Sequence, residues 1–422
     1  MNLLLVILFV ASYLLIVLEH PIKVNKAASA LLGGALLWVV YALFNHSAVV
    51  QLDHSLIGIA EIVFFLMGAM AVVEVVDAHD GFSVVTEKIK AENKNVLLWL
   101  ISFITFFLSA ILDNLTTTIV MVSVIRKLMK DKEDRILFAS ITVIAANAGG
   151  AWSPIGDVTT TMLWIGGQIE AMATIKALIV PSLVNLIAPL LIISYRFRRQ
   201  KVVLNNAKSL ATDSTVTDFE RTLIFFVGIG LLCFVPAFKE LTHLPPFMGI
   251  LFALGILWFC GDLLHQNKPE SRKQDLSLTA ALRRIDLSSI LFFTGILLAV
   301  SVLEHAEILN ALADFLEDKI GNQTLIIGLL GMLSAVIDNV PLVAASMGMY
   351  SLSEFPVNSF TWQFLAYAAG TGGSILIIGS AAGIAAMGLE KIDFFWYVKK
   401  ISWLALVGYL AGAVMYCLLT GV

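Results

Sequence analysis

Apolar residues gather in twelve runs, at 2–18, 27–44, 56–77, 96–125, 136–165, 175–195, 219–237, 246–264, 286–303, 324–350, 362–389 and 402–420, with short polar segments between them. A hydrocarbon core of about 30 Å takes roughly 20 helical residues to cross, so the pattern predicts membrane helices throughout. Two runs share one polar interruption. "SAILDNLTTT" at 109–118 and "SAVIDNVPLVA" at 334–344 each set an Asp-Asn pair where a membrane helix would carry leucine. An ionised carboxylate at mid-bilayer costs roughly 2.5 to 3.5 kcal/mol on insertion scales, so two of them ask for a function. Both are expected to be tips of re-entrant hairpins that meet at a cation site.

Charge placement supports that expectation. If all twelve runs crossed, the 27 Lys and Arg would divide almost evenly between the two faces. If 96–125 and 324–350 instead dip in and return, all but Lys176, Lys239 and Lys319 fall on one side. Such a bias is what cytoplasmic loops carry. The resulting topology has ten spans and two hairpins, with both termini outside. No Lys or Arg precedes the first run, and Lys23 and Lys26 follow it, which predicts a retained helix rather than a cleaved leader.

An internal repeat points the same way. "FFLMG" at 64–68 parallels "LFFTG" at 291–295, and Gly149-Gly150 parallels Gly372-Gly373. Five spans per copy is an odd number, so the copies are inverted relative to each other. The expected fold is an all-α polytopic membrane protein of two inverted five-span repeats. The first is 1–197, with hairpin 96–130 and broken helix 136–166. A cytoplasmic linker, 198–218, leads to the second, 219–422, with hairpin 321–350 and broken helix 362–389. Inverted repeats with interrupted helices mark secondary transporters. The segment 305–319 carries apolar residues at helical spacing and is expected to lie on the outer surface as an amphipathic helix.

The breaks bring the candidate chemistry. "ANAGGAWSPIGDVTTT" at 146–161 holds three glycines and a proline within eight residues and cannot continue a helix. "GTGGSILIIGSAAG" at 370–383 is broken by glycine and serine. The oxygen-bearing candidates are Asp113, Asn114, Thr116 and Thr117 at the first tip, and Asn147, Ser153 and Asp157 in the first break. The second half offers Asp338 and Asn339 at its tip, and Thr371, Ser374 and Ser380 in its break. Oxygen ligands suit a hard cation such as sodium, and nothing resembles a His or Cys set for a soft metal. Asp157 aligns with Ser380, so the first half has one carboxylate more, which makes Asp157 the expected exchange site. A carboxylate removed from water holds its proton more tightly, so sodium and protons can compete for the same oxygens.

Other readings stay beside these. Thr116, Thr117, Thr159 and Thr160 fit interhelical hydrogen bonding as well as ligation. Glu61 fits an interfacial role, Glu74 and Asp77 fit either an ion path or structure, and the seven histidines sit at span ends or in loops. Cys233, Cys260 and Cys417 are far apart and read as packing residues.

Composition sharpens the class. Of 422 residues, 59% are hydrophobic and 14% charged, against about a quarter charged in soluble domains. There is no Walker loop, no HExxH and no complete GxGxxG, so the expected energy source is an ion gradient, with no cofactor and no nucleic-acid partner.

"SAILDNLTTTIVMVSVIRKL", "ITVIAANAGGAWSPIGDVTTTMLWIGG" and "SAVIDNVPLVAA" resemble the NhaD-type sodium/proton antiporters of the ion transporter superfamily. The resemblance covers nearly the whole chain. It implies a homodimer in which a scaffold holds mobile transport units, exporting Na+ or Li+ against entering H+ across a bacterial inner membrane. It further implies that Asp113, Asp157 and Asp338, with Asn114 and Asn339 beside them, handle sodium. Related carboxylate transporters carry Ser-Asn-Thr at the tips; Asp there would repel an anion. The rival readings are a sodium-coupled carboxylate symporter or oxyanion permease, favoured by a basic residue at the site, and an intramembrane aspartyl protease using Asp113 and Asp157. No Lys or Arg falls at a tip or break in the sequence, and a protease has no need of two matched half-sites.

Overall fold

The computed structural model describes residues 1–86, 93–196, 216–266, 268–269, 273 and 276–422. The expected linker 198–218 falls largely outside the described residues. Every regular element among them is helical, and seven helices are long and apolar enough to cross a membrane. With the apolar runs of the sequence, this makes the chain an all-helical polytopic membrane protein.

In chain order the main helices are α1 (Asn2–Val17), α2 (Lys26–Phe44), α3 (Ala48–Ala78), α4 (Lys94–Ser109), α5 (Asn114–Leu128), α6 (Lys132–Ala151), α7 (Val158–Ile165), α8 (Ala171–Arg196), α9 (Asp218–Thr242), α10 (Pro246–His265), α11 (Leu287–His305), α12 (Ile308–Ile320), α13 (Gln323–Leu333), α14 (Asn339–Met349), α15 (Phe360–Gly372), α16 (Ala381–Glu390) and α17 (Trp403–Thr420). α3 starts eight residues before the apolar run 56–77, because its first two turns include Gln51, Asp53 and His54, which a hydropathy reading assigns to a loop. α12 matches the expected surface helix, with Leu309 buried and Leu312 and Phe315 exposed.

Four of the apolar runs are split, and each split ends on an N-cap. Asp113 caps α5, Asp157 caps α7, Asp338 caps α14 and Ser380 caps α16, each with a side-chain oxygen accepting from an amide of the first turn. Asp and Ser satisfy the otherwise orphaned amides of a helix start, which lets a new helix begin in a dry interior.

The ends of the split helices group into two layers. Lys94 at the start of α4 pairs with Asp134 at the start of α6, and Glu390 at the end of α16 pairs with Arg126 of α5 at 2.5 Å and Arg135 of α6 at 3.2 Å. In the other layer, the Asn358 amide before α15 donates to the Gln168 carbonyl after α7 at 2.9 Å. The broken pair α6–α7 therefore runs from the first of these layers to the second, and α15–α16 from the second back to the first.

α6 and α15 form the middle of the molecule, with every residue from Phe138 to Ala151 and from Thr361 to Gly372 buried. Small residues make this approach possible. A side chain on Gly149 would strike the Phe106 carbonyl of α4, and one on Gly372 would strike the Gly331 carbonyl of α13. The Ser109 hydroxyl donates to Ala146 O at 2.7 Å, and Ser334 donates to Ala369 O at 2.8 Å. Outside this centre α2 and α11 run parallel, with Ser288 bonded to Asn25 at one end and Tyr41 to the His305 carbonyl at the other. His79 and His265 stand at helix ends as expected, but they are buried against each other with ring nitrogens 3.1 Å apart.

Candidate ion-binding site

Asp157 is the centre of a polar network closed to solvent. It begins α7 after the turn Trp152–Gly156, and its Oδ1 accepts from the Thr159 amide at 2.9 Å and the Thr159 hydroxyl at 2.8 Å. Its Oδ2 accepts from Asn114 Nδ2 at 2.8 Å. The same Asn114 nitrogen reaches Asn147 Oδ1 at 3.1 Å, and Asn147 Nδ2 donates to Ser374 Oγ and Ser380 Oγ, both at 2.9 Å. Asp157 is 1% exposed and Asn147 fully buried. One chain of hydrogen bonds thus joins the first tip, the first break and the second break.

The donors facing Asp157 are all neutral. Among the described residues neither Asp157 nor Asp113 takes part in an ion pair. A buried carboxylate without a charged partner is costly, so the site calls for a positive charge that the chain itself does not provide there. A proton or a small hard cation can provide it, and the carbonyl and hydroxyl oxygens around it suit the latter.

Asp113 lies at the edge of this network. Its two oxygens accept from the Thr116 amide at 2.7 Å and the Thr116 hydroxyl at 2.6 Å. It borders a cavity of about 50 Å³, whose walls include Asn114, Val158, Met70, Ser289, Phe293 and Ala381. No basic side chain lines that cavity. Glu74 and Asp77 form no hydrogen bond with the network, although Val73 lines the cavity.

Asp338 departs from expectation. Its Oδ2 lies 3.1 Å from the Lys26 ammonium, which also stands 4.3 Å over the Phe292 ring. A basic residue does therefore reach a tip. It comes from the first residue of α2, 312 positions earlier, and no sequence spacing reveals it. Asn339 is buried beside this pair. The Thr371 hydroxyl donates to Tyr367 O at 2.6 Å within its own helix. Ser153 accepts from the Ile155 amide and shapes the break. The Thr117 hydroxyl is buried and finds no hydrogen-bond partner among the described residues. Thr159, for which the sequence left interhelical bonding and ligation equally open, is a direct partner of Asp157. The spacing Asp-x-Thr at a helix start is the signal that would have found it.

A family model described as citrate transporter (CitMHS) matches residues 13–363. Sodium/proton antiporter 1 of Arabidopsis thaliana is 51% identical over 97% of this chain and 71% of its own length, and sodium/proton antiporter 2 of the same plant is 48% identical over 97% and 98%. The Na(+)/H(+) antiporter NhaD of Alkalimonas amylolytica is 30% identical over 97% of this chain and 89% of its own. These relatives are transporters, not enzymes. With a match of this extent, a polar site joining both halves and helices fit to cross a membrane, the chain belongs to the citrate transporter family, in the branch of the NhaD-type sodium/proton antiporters.

Proposed function

We propose that the chain exchanges Na+, and Li+ with it, for H+ by alternating access, and that the two compete at Asp157. The observation that carries this reading is a wholly buried carboxylate bonded only to neutral groups of Thr159 and Asn114, in a hydrogen-bond network that extends through Asn147 to Ser374 and Ser380 of the second half. Its charge is balanced by one visiting cation at a time. Sodium drawn in by the Asp157, Asn114 and Asn147 oxygens displaces the proton, and the proton's return on the other side releases sodium. Asp113, half-buried at the cavity, is the second carboxylate on the path.

The family description names citrate, but Asp157 and Asp113 would repel a tricarboxylate, and the cavity beside them has no basic wall. The protease reading finds no support either, since Asp113 and Asp157 share no hydrogen bond and each is held by its own threonine.

The finer architecture belongs to the same proposal. Paired hairpin feet in opposite layers, and the matched contacts of Gly149 with Gly372 and Ser109 with Ser334, support two inverted repeats with re-entrant hairpins. The loop charges support both termini outside. A homodimer follows from the resemblance, and the exposed apolar faces of α9 and α10 offer it surface. A bacterial inner membrane remains the proposed setting, with the Arabidopsis relatives adding a plant-cell membrane as the other.

Everted vesicles with a pH-gradient dye test the function. NaCl should dissipate the acid-inside gradient, and Asp157→Asn should abolish the response at normal expression. A full response from that variant removes Asp157 from the mechanism, and no response from the natural protein removes the function.

A further inference from the structure

We infer that Lys26 is a tethered cation which fills the carboxylate of the second tip in the observed state and releases it during transport, so that it tunes how strongly the protein takes up Na+. This rests on the antiport reading above.

Lys26 is the first residue of α2, where the helix dipole disfavours a cation. Its backbone is fixed nevertheless. The Asn25 side chain caps α2 by accepting from the Ala27 amide at 2.8 Å, it also accepts from Ser288 of α11, and the Lys26 amide bonds Glu19 at 3.3 Å. From this anchored base the ammonium crosses the Phe292 ring to Asp338. By element order α10 holds the corresponding place in the second half, and it opens with Pro246 and Phe247, so the arrangement exists once.

Both tips stand against one turn of α11, with Ser289 and Phe293 beside Asp113, and Phe292 under the ammonium that holds Asp338. The pair is about four-fifths buried on each side, with side-chain exposures of 21% and 17%. Lysine presents a compact charge on a flexible stem, so it can part from its partner without moving its helix. An ammonium at Asp338 also excludes Na+ from those oxygens, so the free cation is directed to the Asp157 side. If the hairpin moves relative to α2, the pair opens and Asp338 becomes available.

The test titrates NaCl in the vesicle assay for the natural chain, Lys26→Met, Lys26→Arg, Asp338→Asn and the Lys26→Met/Asp338→Asn double variant. Lys26→Met should lower the half-saturating Na+ concentration roughly three- to tenfold and reduce the maximal rate, because an unpaired carboxylate then holds the cation. Lys26→Arg should restore both values. In the Asp338→Asn background, Lys26→Met should no longer change half-saturation. An unchanged half-saturation in Lys26→Met, a loss of rate alone, or a full effect that persists without Asp338 overturns the inference, while antiport by the natural chain stands. If Lys26→Met fails to insert, the exchanged pair Lys26→Asp/Asp338→Lys decides: recovery over either single change supports the coupling, and no recovery overturns it.

Discussion

The two halves of the molecule have nearly the same frame and different chemistry. In each, a serine at the end of the helix before the Asp-Asn pair donates to a carbonyl of the broken helix, Ser109 to Ala146 and Ser334 to Ala369. In each, a glycine of the broken helix lies on a carbonyl of that preceding helix. The site residues then diverge. The first half caps its short helix with Asp157, which faces neutral donors, and the second uses Ser380. The first tip's Asp113 is without an ion pair among the described residues, while Asp338 is held by Lys26. The backbone approach must be kept in both halves to hold the breaks in a dry interior. The buried carboxylate at the head of the short helix stands in the first half alone, where Asp157 takes the place that Ser380 holds in the second.

The shared frame gives the largest expected effect. Gly149→Ala and Gly372→Ala should each cost about 3 kcal/mol or more, since a methyl group would collide with backbone that cannot move aside. Gly388→Ala in α16 is the control, with open space around it, and it should be neutral or slightly stabilising. Melting temperature and yield of monodisperse protein in detergent would read all three. Tolerance of Gly372→Ala beside collapse of Gly149→Ala would mean that the two frames are not equivalent.

The divergent chemistry gives the next. Ser380→Asp puts a second carboxylate into the network that holds Asp157, beside Asn147, and should lower antiport at least about tenfold through like-charge repulsion. The exchange Asp157→Ser/Ser380→Asp should not restore it, because Thr159 and Asn114 remain on the first-half side. Natural rates from the double variant would show that the halves are interchangeable and that the asymmetry has no functional meaning.

What the sequence made legible follows from how local each feature is. That the two helices break could be read from their glycines and proline, although the helices run on through Gly149-Gly150 and Gly372 and the breaks fall at Trp152–Gly156 and 373–379. Asp157, Asn114, Asn147, Ser374 and Ser380 could be picked out because a polar residue in an apolar run is conspicuous, and the structure brings these five together. Thr371 was equally conspicuous, yet it turns back to its own helix, since a threonine hydroxyl can satisfy itself on the carbonyl four residues earlier. Lys26 was invisible as a site residue because its partner is 312 positions away and its own neighbourhood is an ordinary loop. The start of α3 was missed because its first turns are polar enough to pass for a connector.

The smallest expected effect separates the halves at the ends of α3 and α11, which both finish beside a histidine. His305 bonds Ser55 at 2.9 Å and is part-exposed. His79 is fully buried, with Nδ1 at 2.7 Å from the Val75 carbonyl and Nε2 at 3.1 Å from His265. Nδ1 therefore carries the hydrogen, and Nε2 accepts from His265. Burial holds the His79 imidazole below its ordinary 6.5, at about 4. The folded protein thus keeps His79 neutral where the unfolded chain would protonate it. Stability from this residue is complete above pH 6.5 and declines as pH falls toward 4, by at most about 3 kcal/mol. His79→Gln, which can also donate to Val75 and accept from His265, should flatten the fall in melting temperature between pH 7 and pH 5. Equal slopes for the natural protein and His79→Gln would show that His79 is not what makes the first half the acid-sensitive one.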